Sequence, residues 1–272
     1  MTRAADLLAL EPWLRAGVFV AVLLPLLAAE GRRPRRAAAL ARPWRWAQNL
    51  GVVVVGTLLL RAVLPLAAVG SAVLAEEAGW GLFRALAVPA PLAFVLGLLL
   101  LDLAVWAQHR AFHAVPLLWR LHRMHHADLD FDASTGLRFH PLELLLSMLL
   151  KIAVVLALGA PPLAVLAFEV LLNATSMFSH SNLRLPLRLD AWLRRVLVTP
   201  DMHRVHHSAD PLETDRNFGF ALPWWDRLAG TYLAQPRLGH EGMTLGLREF
   251  RDPRHGRLDR MLLQPFLPDP RR

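Results

Sequence analysis

The sequence contains no cysteine. That absence removes disulfides, iron–sulfur clusters and thiolate-ligated haem from consideration. No glycine-rich dinucleotide fingerprint or phosphate-binding loop occurs either, so any redox chemistry must draw its electrons from another molecule. Lysine is nearly missing: of the 30 basic residues only Lys151 is not an arginine. The formal net charge of +8 invites a nucleic-acid reading. The arginines, however, are spread over loops, and on one face of a membrane they would meet anionic headgroups. No nucleic-acid partner is expected.

What the chain has in quantity is apolar surface. Of 272 residues 55% are hydrophobic, and they run in long blocks instead of alternating with polar residues, the pattern of a membrane protein. The blocks cover 13–29, 50–74, 86–107 and 142–178, the last interrupted by GAPP at 159–162. A crossing takes roughly 17 to 25 helical residues, so the fourth block holds two short spans joined at the Gly-Pro turn. The expected fold class is all-α: a membrane bundle of four to five apolar helices with a cytoplasmic, histidine-rich helical cap. Three regions are expected: membrane helices and an arginine-rich loop at 1–85, a catalytic region at 86–235, and a polar C-terminal tail at 236–272.

Charge sets the orientation. The loop at 31–49 carries Arg32, Arg33, Arg35, Arg36, Arg42 and Arg45, which holds it in the cytoplasm and argues against a cleaved signal peptide before it. The segment AEEAGWGLFR at 75–84 has two glutamates and one arginine, as suits the opposite side. Counting crossings then delivers His109 and His180 to the cytoplasmic face of a multi-pass protein.

Ten of the twelve histidines fall between 109 and 207, and the pentapeptide HRMHH at 122–126 recurs as HRVHH at 203–207. Residues i, i+3 and i+4 share a helix face. His122, His125 and His126 therefore converge, as do His203, His206 and His207, and the pair His109 and His113. Stacked protonated imidazoles would repel, and neutral unpaired ones would waste their donors and acceptors. A transition metal resolves both problems. Imidazole suits Fe, Zn, Cu or Ni, and eight to ten rings fit two ions with four or five ligands each. Two rival readings are a histidine-rich metal-binding or transport protein, whose ligands belong near the membrane midplane, and a zinc-dependent lipid hydrolase, which needs fewer imidazoles and a carboxylate base. His240 and His255 read as ordinary amphipathic side chains.

HRAFH at 109–113, HRMHH and HRVHH resemble the three histidine boxes of the fatty acid hydroxylase and sterol desaturase superfamily of integral-membrane di-iron oxygenases. The likeness extends to Asp102-x-x-x-Trp106-x-x-His109-Arg110, RFHP around His140, HSN at 180–182, TPDMHRVHH from Thr199, NFG at 217–219 and WDRLAGTY at 225–232. It covers roughly 95–235. The resemblance implies two iron ions held by His109, His113, His122, His125, His126, His203, His206 and His207, with His180 as a ninth ligand. His140 stands between ligand and outer support. It further implies dioxygen as co-substrate, a lipid substrate (fatty acyl, sterol or other isoprenoid) to be hydroxylated or desaturated, and a separate electron donor such as a ferredoxin or small haem protein.

Other polar residues carry weaker expectations. Asp102, two helical turns before His109, can orient a ligand histidine or pair with Arg61. Asp201, Asn217 and Asp226 are candidates either to orient ligands or to cap local structure. Lys151 and Glu169 fall at similar depths and read as an intramembrane ion pair. Trp13, Trp44 and Trp46 read as interfacial anchors. Trp106, Trp119, Trp224 and Trp225 read as packing, or as the lining of a substrate groove.

Overall fold

The computed structural model describes residues 3–268. Among the described residues there is no β-sheet, only two isolated bridges, and the rest is helix and connecting loop. Five helical segments are long and apolar enough to cross a membrane. The first is α1 (Arg3–Arg32). The second starts as α2 (Arg42–Val63), breaks, resumes as the buried α3 (Ala67–Glu77) and ends near the short α4 (Leu82–Ala85). The third is α5 (Ala90–Ala114), and α7 (Pro141–Leu158) and α8 (Pro162–Ser179) form the hairpin.

The block at 50–74 is thus one crossing in two pieces. Pro65 explains the break: it has no N–H to donate and disfavours helix at the residue before it. The chain turns over at Ala67, whose φ is +46°. Direction is kept across the break, for Gly56 lies against Pro141 and Leu144 at one end of the bundle while Gly81 abuts Gly159 at the other. A Cβ on Gly81 would stand 2.1 Å from the Gly159 nitrogen, and both residues have positive φ, so this turn-on-turn contact requires glycine.

The hairpin forms for local reasons. His140 Nδ1 accepts from the Leu142 N–H and caps α7, Pro141 occupies its first turn, and Gly159 ends it in the left-handed region. Ala68, Val69 and Ala72 of α3 pack with Leu101, Met148, Val155, Val165 and Phe168 into the apolar core. Inside this core the expected Lys151–Glu169 pair forms at 2.7 Å, and a partner the sequence did not single out, Arg15 of α1, reaches the other oxygen of Glu169 at 2.7 Å.

The C-terminal ends of α1, α5 and α8 and the N-terminal ends of α2 and α7 meet at one end of the bundle, under a cap. The cap holds α6 (Pro116–His126), α9 (Leu187–Leu193), α10 (Pro200–His206), α11 (Pro211–Thr214), α12 (Trp224–Leu228), α13 (Gly239–Gly242) and α14 (Leu258–Leu263). Buried Arg45 of α2 is its main anchor. Its guanidinium donates to both oxygens of Asp128, at 3.0 and 2.8 Å, and to Asp132 at 2.6 Å. Asp130 accepts from the Ala39 and Leu40 N–H groups, and Glu30 from those of Ala133 and Asn182. Trp46, expected as an interfacial anchor, donates to Asp132.

The segment expected as a polar tail folds onto the cap through Pro268, its last four residues lying outside the described residues. Met261 packs with Val52 and Met124, and Leu247 and Phe250 pack with Trp119. Arg120 and Arg123 donate to the carbonyls of Gln264, Pro265, Leu267 and Pro268. Arginine made this segment look like surface. Its arginines do lie outward, Arg254 and Arg257 pairing with Asp252 and Asp259, while its backbone carbonyls hold it to α6.

Candidate metal centre

Each histidine-bearing element has a clear stop or start. α6 begins at Pro116 and carries His122, His125 and His126 in its last two turns. α10 is capped by Thr199, whose hydroxyl accepts from the Met202 N–H. His109 and His113 sit in the last two turns of α5, and His180 follows α8 directly. These elements gather nine histidines into two adjacent groups. His109, His113, His122, His126 and His206 form one, and His125, His180, His203 and His207 the other; within each group the candidate ligand atoms all lie within 4.8 Å of one another.

Neither pentapeptide serves a single group. With 3.6 residues per turn, neighbours in a helix point about 100° apart. His125 and His126 therefore face different groups, and so do His206 and His207. The expected convergence of each triad on one point is replaced by a division between two.

Hydrogen bonds fix which ring nitrogen carries the proton. His109 Nδ1 donates to Phe218 O at 2.6 Å, His206 Nδ1 to Arg216 O at 2.7 Å, His122 Nδ1 to Glu143 Oε1 at 2.7 Å and His113 Nδ1 to Asp215 Oδ1 at 3.0 Å. Carbonyls and carboxylates only accept, so these Nε2 atoms present bare lone pairs when the rings are neutral. Yet His109 Nε2 lies 3.0 Å from both His122 Nε2 and His206 Nε2. In the second group His180 Nδ1 donates to Ser176 O at 2.7 Å and His125 Nδ1 to Arg138 O at 3.3 Å. The single Nε2 lone pair of His180 faces His125, His203 and His207 at 3.1, 3.1 and 3.2 Å.

Protonation does not relieve this crowding. Burial, reinforced by neighbouring imidazoles, holds His125, His126, His203, His206 and His207 well below the ordinary histidine value. Burial likewise lowers His180 to about 3. Lone pairs pointed at one another call for a cation between them. Two nitrogens each about 2.1 Å from one ion, at right angles, stand about 3 Å apart, which is the spacing found. His126, with both ring nitrogens buried and without a hydrogen-bond partner, fits the same demand. The donor set, imidazole nitrogen throughout, is therefore suited to two transition-metal ions.

The other candidates fall outside both groups. His140 uses Nδ1 to cap α7 and points Nε2 at Leu262 O, 3.2 Å away. Asp102 reaches neither a histidine nor Arg61; it accepts from Trp225 Nε1 at 2.7 Å. Asp201 pairs with Arg204 and Arg35, and Asn217 ties Met202 O to Leu233. Asp226 does support a ligand at one remove, since it accepts from the Phe218 and Gly219 N–H groups and so holds the carbonyl that orients His109. Trp106 donates to this same carboxylate at 3.1 Å, and Trp119 is buried against His126, so both act in packing. His240, expected as an ordinary amphipathic side chain, is buried 3.5 Å from Asp201.

Two features escaped the sequence reading. Glu143, a lone carboxylate in the first turn of an apolar helix, orients His122, and its oddity there was the available signal. Phe139 and Phe220 each touch both groups: Phe139 stacks on His125 at 4.5 Å and neighbours His122, while Phe220 lies 4.9 Å from His109 and 5.8 Å from His203.

Residues 94–231 match the model of the family described as fatty acid hydroxylase. The chain is 33% identical over 153 residues to ornithine lipid hydroxylase OlsE of Rhizobium tropici, covering 54% of this chain and 44% of that protein. It is 30% identical over 177 residues to human alkylglycerol monooxygenase, covering 63% and 38%, and 29% identical over 142 residues to rat cholesterol 25-hydroxylase, covering 51% and 46%. It spans less than half the length of these relatives. No solved structure matches it.

Proposed function

The chain belongs to the fatty acid hydroxylase family, and from that premise we propose that it is a membrane-bound non-haem di-iron oxygenase acting on a lipid. Dioxygen and two electrons from a separate carrier, of the ferredoxin or small haem protein kind, are consumed in oxidising an unactivated C–H position. One iron is held by His109, His113, His122, His126 and His206 and the other by His125, His180, His203 and His207. The observation that carries this reading is the set of Nε2 atoms turned toward one another in two adjacent groups.

Iron held there would activate dioxygen, whose reduction supplies the oxidising power to break a C–H bond. The chain's own residues do the rest. Phe218 O, Arg216 O, Ser176 O and Glu143 each accept an Nδ1 proton, so the rings keep one tautomer and one orientation. Burial of the rings excludes bulk water from a reaction that water would quench. Phe139 and Phe220 offer an apolar wall against both groups, suited to an alkyl chain and not to a polar substrate.

The relatives are named as hydroxylases or a monooxygenase of an ornithine lipid, an alkylglycerol and cholesterol. These names favour hydroxylation over desaturation, with an amphiphile as substrate. The catalytic unit is assigned to 86–235. Six arginines in the loop at 31–49 support a cytoplasmic cap. The test is metal analysis and an absorption spectrum of anaerobically purified protein, with lipid extracts of cells with and without the gene compared by mass spectrometry. Two irons per chain and one lipid class heavier by one oxygen are expected. Zinc, or a single weakly held ion, overturns the proposal.

A further inference from the structure

α9 and α12 form one unit of the cap outside the metal centre. Trp224 Nε1 donates to Arg195 O at 2.8 Å, and Arg227 Nη2 to Arg194 O at 2.9 Å. Inward, the buried Asp190–Arg194 pair and Asp226 hold the unit in place. Outward, it displays Leu187, Trp192, Val196, Trp224 and Leu228, with Leu187 and Leu228 78% and 80% exposed. Exposed Arg188 and Arg195 lie among them. Large aliphatic and indole groups interleaved with arginine suit the boundary of a bilayer better than bulk water.

Position identifies the occupant. Trp225 donates to Asp102, and Asp226 accepts from Trp106, so α12 is fastened to the side of α5. Asp102 is twelve residues along α5 from Ala90, about 18 Å of rise. The hydrocarbon slab is about 30 Å thick, and Glu76, Glu77 and Arg84 mark its far boundary just before Ala90. Asp102 is therefore still about 12 Å short of the near boundary. At the other edge of the unit, Leu183 bridges Pro34, just past the end of α1, so α9 starts level with the ends of the spans.

We propose that α9 and α12 are a membrane-docking surface, seated in the same leaflet that the cap covers. Leu187, Trp192 and Leu228 lie among acyl chains, with Arg188 and Arg195 at the level of the phosphates. The inference needs only a membrane-spanning bundle and is independent of the reaction proposed above.

The lack of cysteine makes the test direct. Leu187→Cys, Trp192→Cys and Leu228→Cys are nitroxide-labelled singly in the full chain, in nanodiscs of neutral and anionic phospholipid. Leu212→Cys serves as reference, being exposed on α11 beyond the end of α5. Collision rates with dioxygen, which partitions into hydrocarbon, and with a water-soluble nickel chelate are then compared. The oxygen-to-nickel ratio is expected to be several-fold higher at 187, 192 and 228 than at 212. Equal ratios overturn the proposal. Shielding from both reagents does so too, since it means a protein or a second copy covers the face. The three sites are exposed and lie on two helices, so loss of one variant leaves the others decisive.

Discussion

His109 Nε2 faces His122 Nε2 at 3.0 Å although both rings already donate through Nδ1, one to Phe218 O and the other to Glu143. Neutral rings so engaged offer only lone pairs to each other, and two acceptors cannot hydrogen-bond, so the contact suits a cation between them. The expectations below take their direction from that arrangement.

His206 and His207 are adjacent in sequence and serve different groups. His206→Ala and His207→Ala should each bind no more than one iron per chain and lose activity by at least two orders of magnitude. The iron that remains should have a four-imidazole environment in the first variant and a five-imidazole one in the second. Mössbauer spectra of the two proteins check this; identical spectra would contradict the division.

Glu143→Gln keeps the shape of the side chain but weakens its acceptor. Removal of a group that orients a ligand histidine costs about 10- to 100-fold in metal affinity. Chelator competition should show that loss, with helix content unchanged. Unaltered affinity would make Glu143 a mere helix-terminus charge.

Arg45→Met leaves Asp128 and Asp132 buried without their cation. Breaking a buried ion pair on one side costs about 3–5 kcal/mol, so thermal unfolding in detergent should shift strongly. A surface variant such as Arg257→Met should shift little.

Glu169 sits between Lys151 and Arg15. Glu169→Leu strands Lys151 in the membrane core and leaves Arg15 with Glu11 alone, whereas Lys151→Leu leaves Arg15 to neutralise the carboxylate. The first substitution should therefore destabilise more than the second, as unfolding in mixed micelles would reveal. The reverse order would mean that Arg15 does not share the pair.

Burial, against the pull of nearby Asp201, lowers His240 to about 4, while an unfolded histidine titrates near 6.5. Between these values the unfolded chain takes up a proton that the folded one refuses. Its contribution is complete above about pH 6.5 and is lost as pH falls toward 4. His240→Gln should narrow the gap to wild type, or reverse it, over that window. Melting temperatures at pH 7, 5.5 and 4.5 measure it.

Eight of the nine clustered histidines were legible because i, i+3, i+4 spacing and repetition have no bland explanation; His180, alone in HSN, was legible only through the family resemblance. Their division between two groups was not, because face-sharing hides the 100° between neighbours. The five apolar segments were visible as blocks, and the break at Pro65 was signalled but read through. Asp128, Asp130 and Asp132 carried no motif; their meaning lies in Arg45 and two backbone amides roughly ninety residues away. His140 could not be told from a ligand by sequence, since capping and coordination both ask an imidazole for a lone pair.

The sharing of α6 and α10 between the two groups has a consequence for loading. Whichever ion arrives first must set the pitch and position of both helices, and in doing so it arranges rings that belong to its neighbour. The second ion then meets ligands whose ordering has already been completed. Uptake should accordingly be cooperative, with half-filled protein scarce at every iron supply.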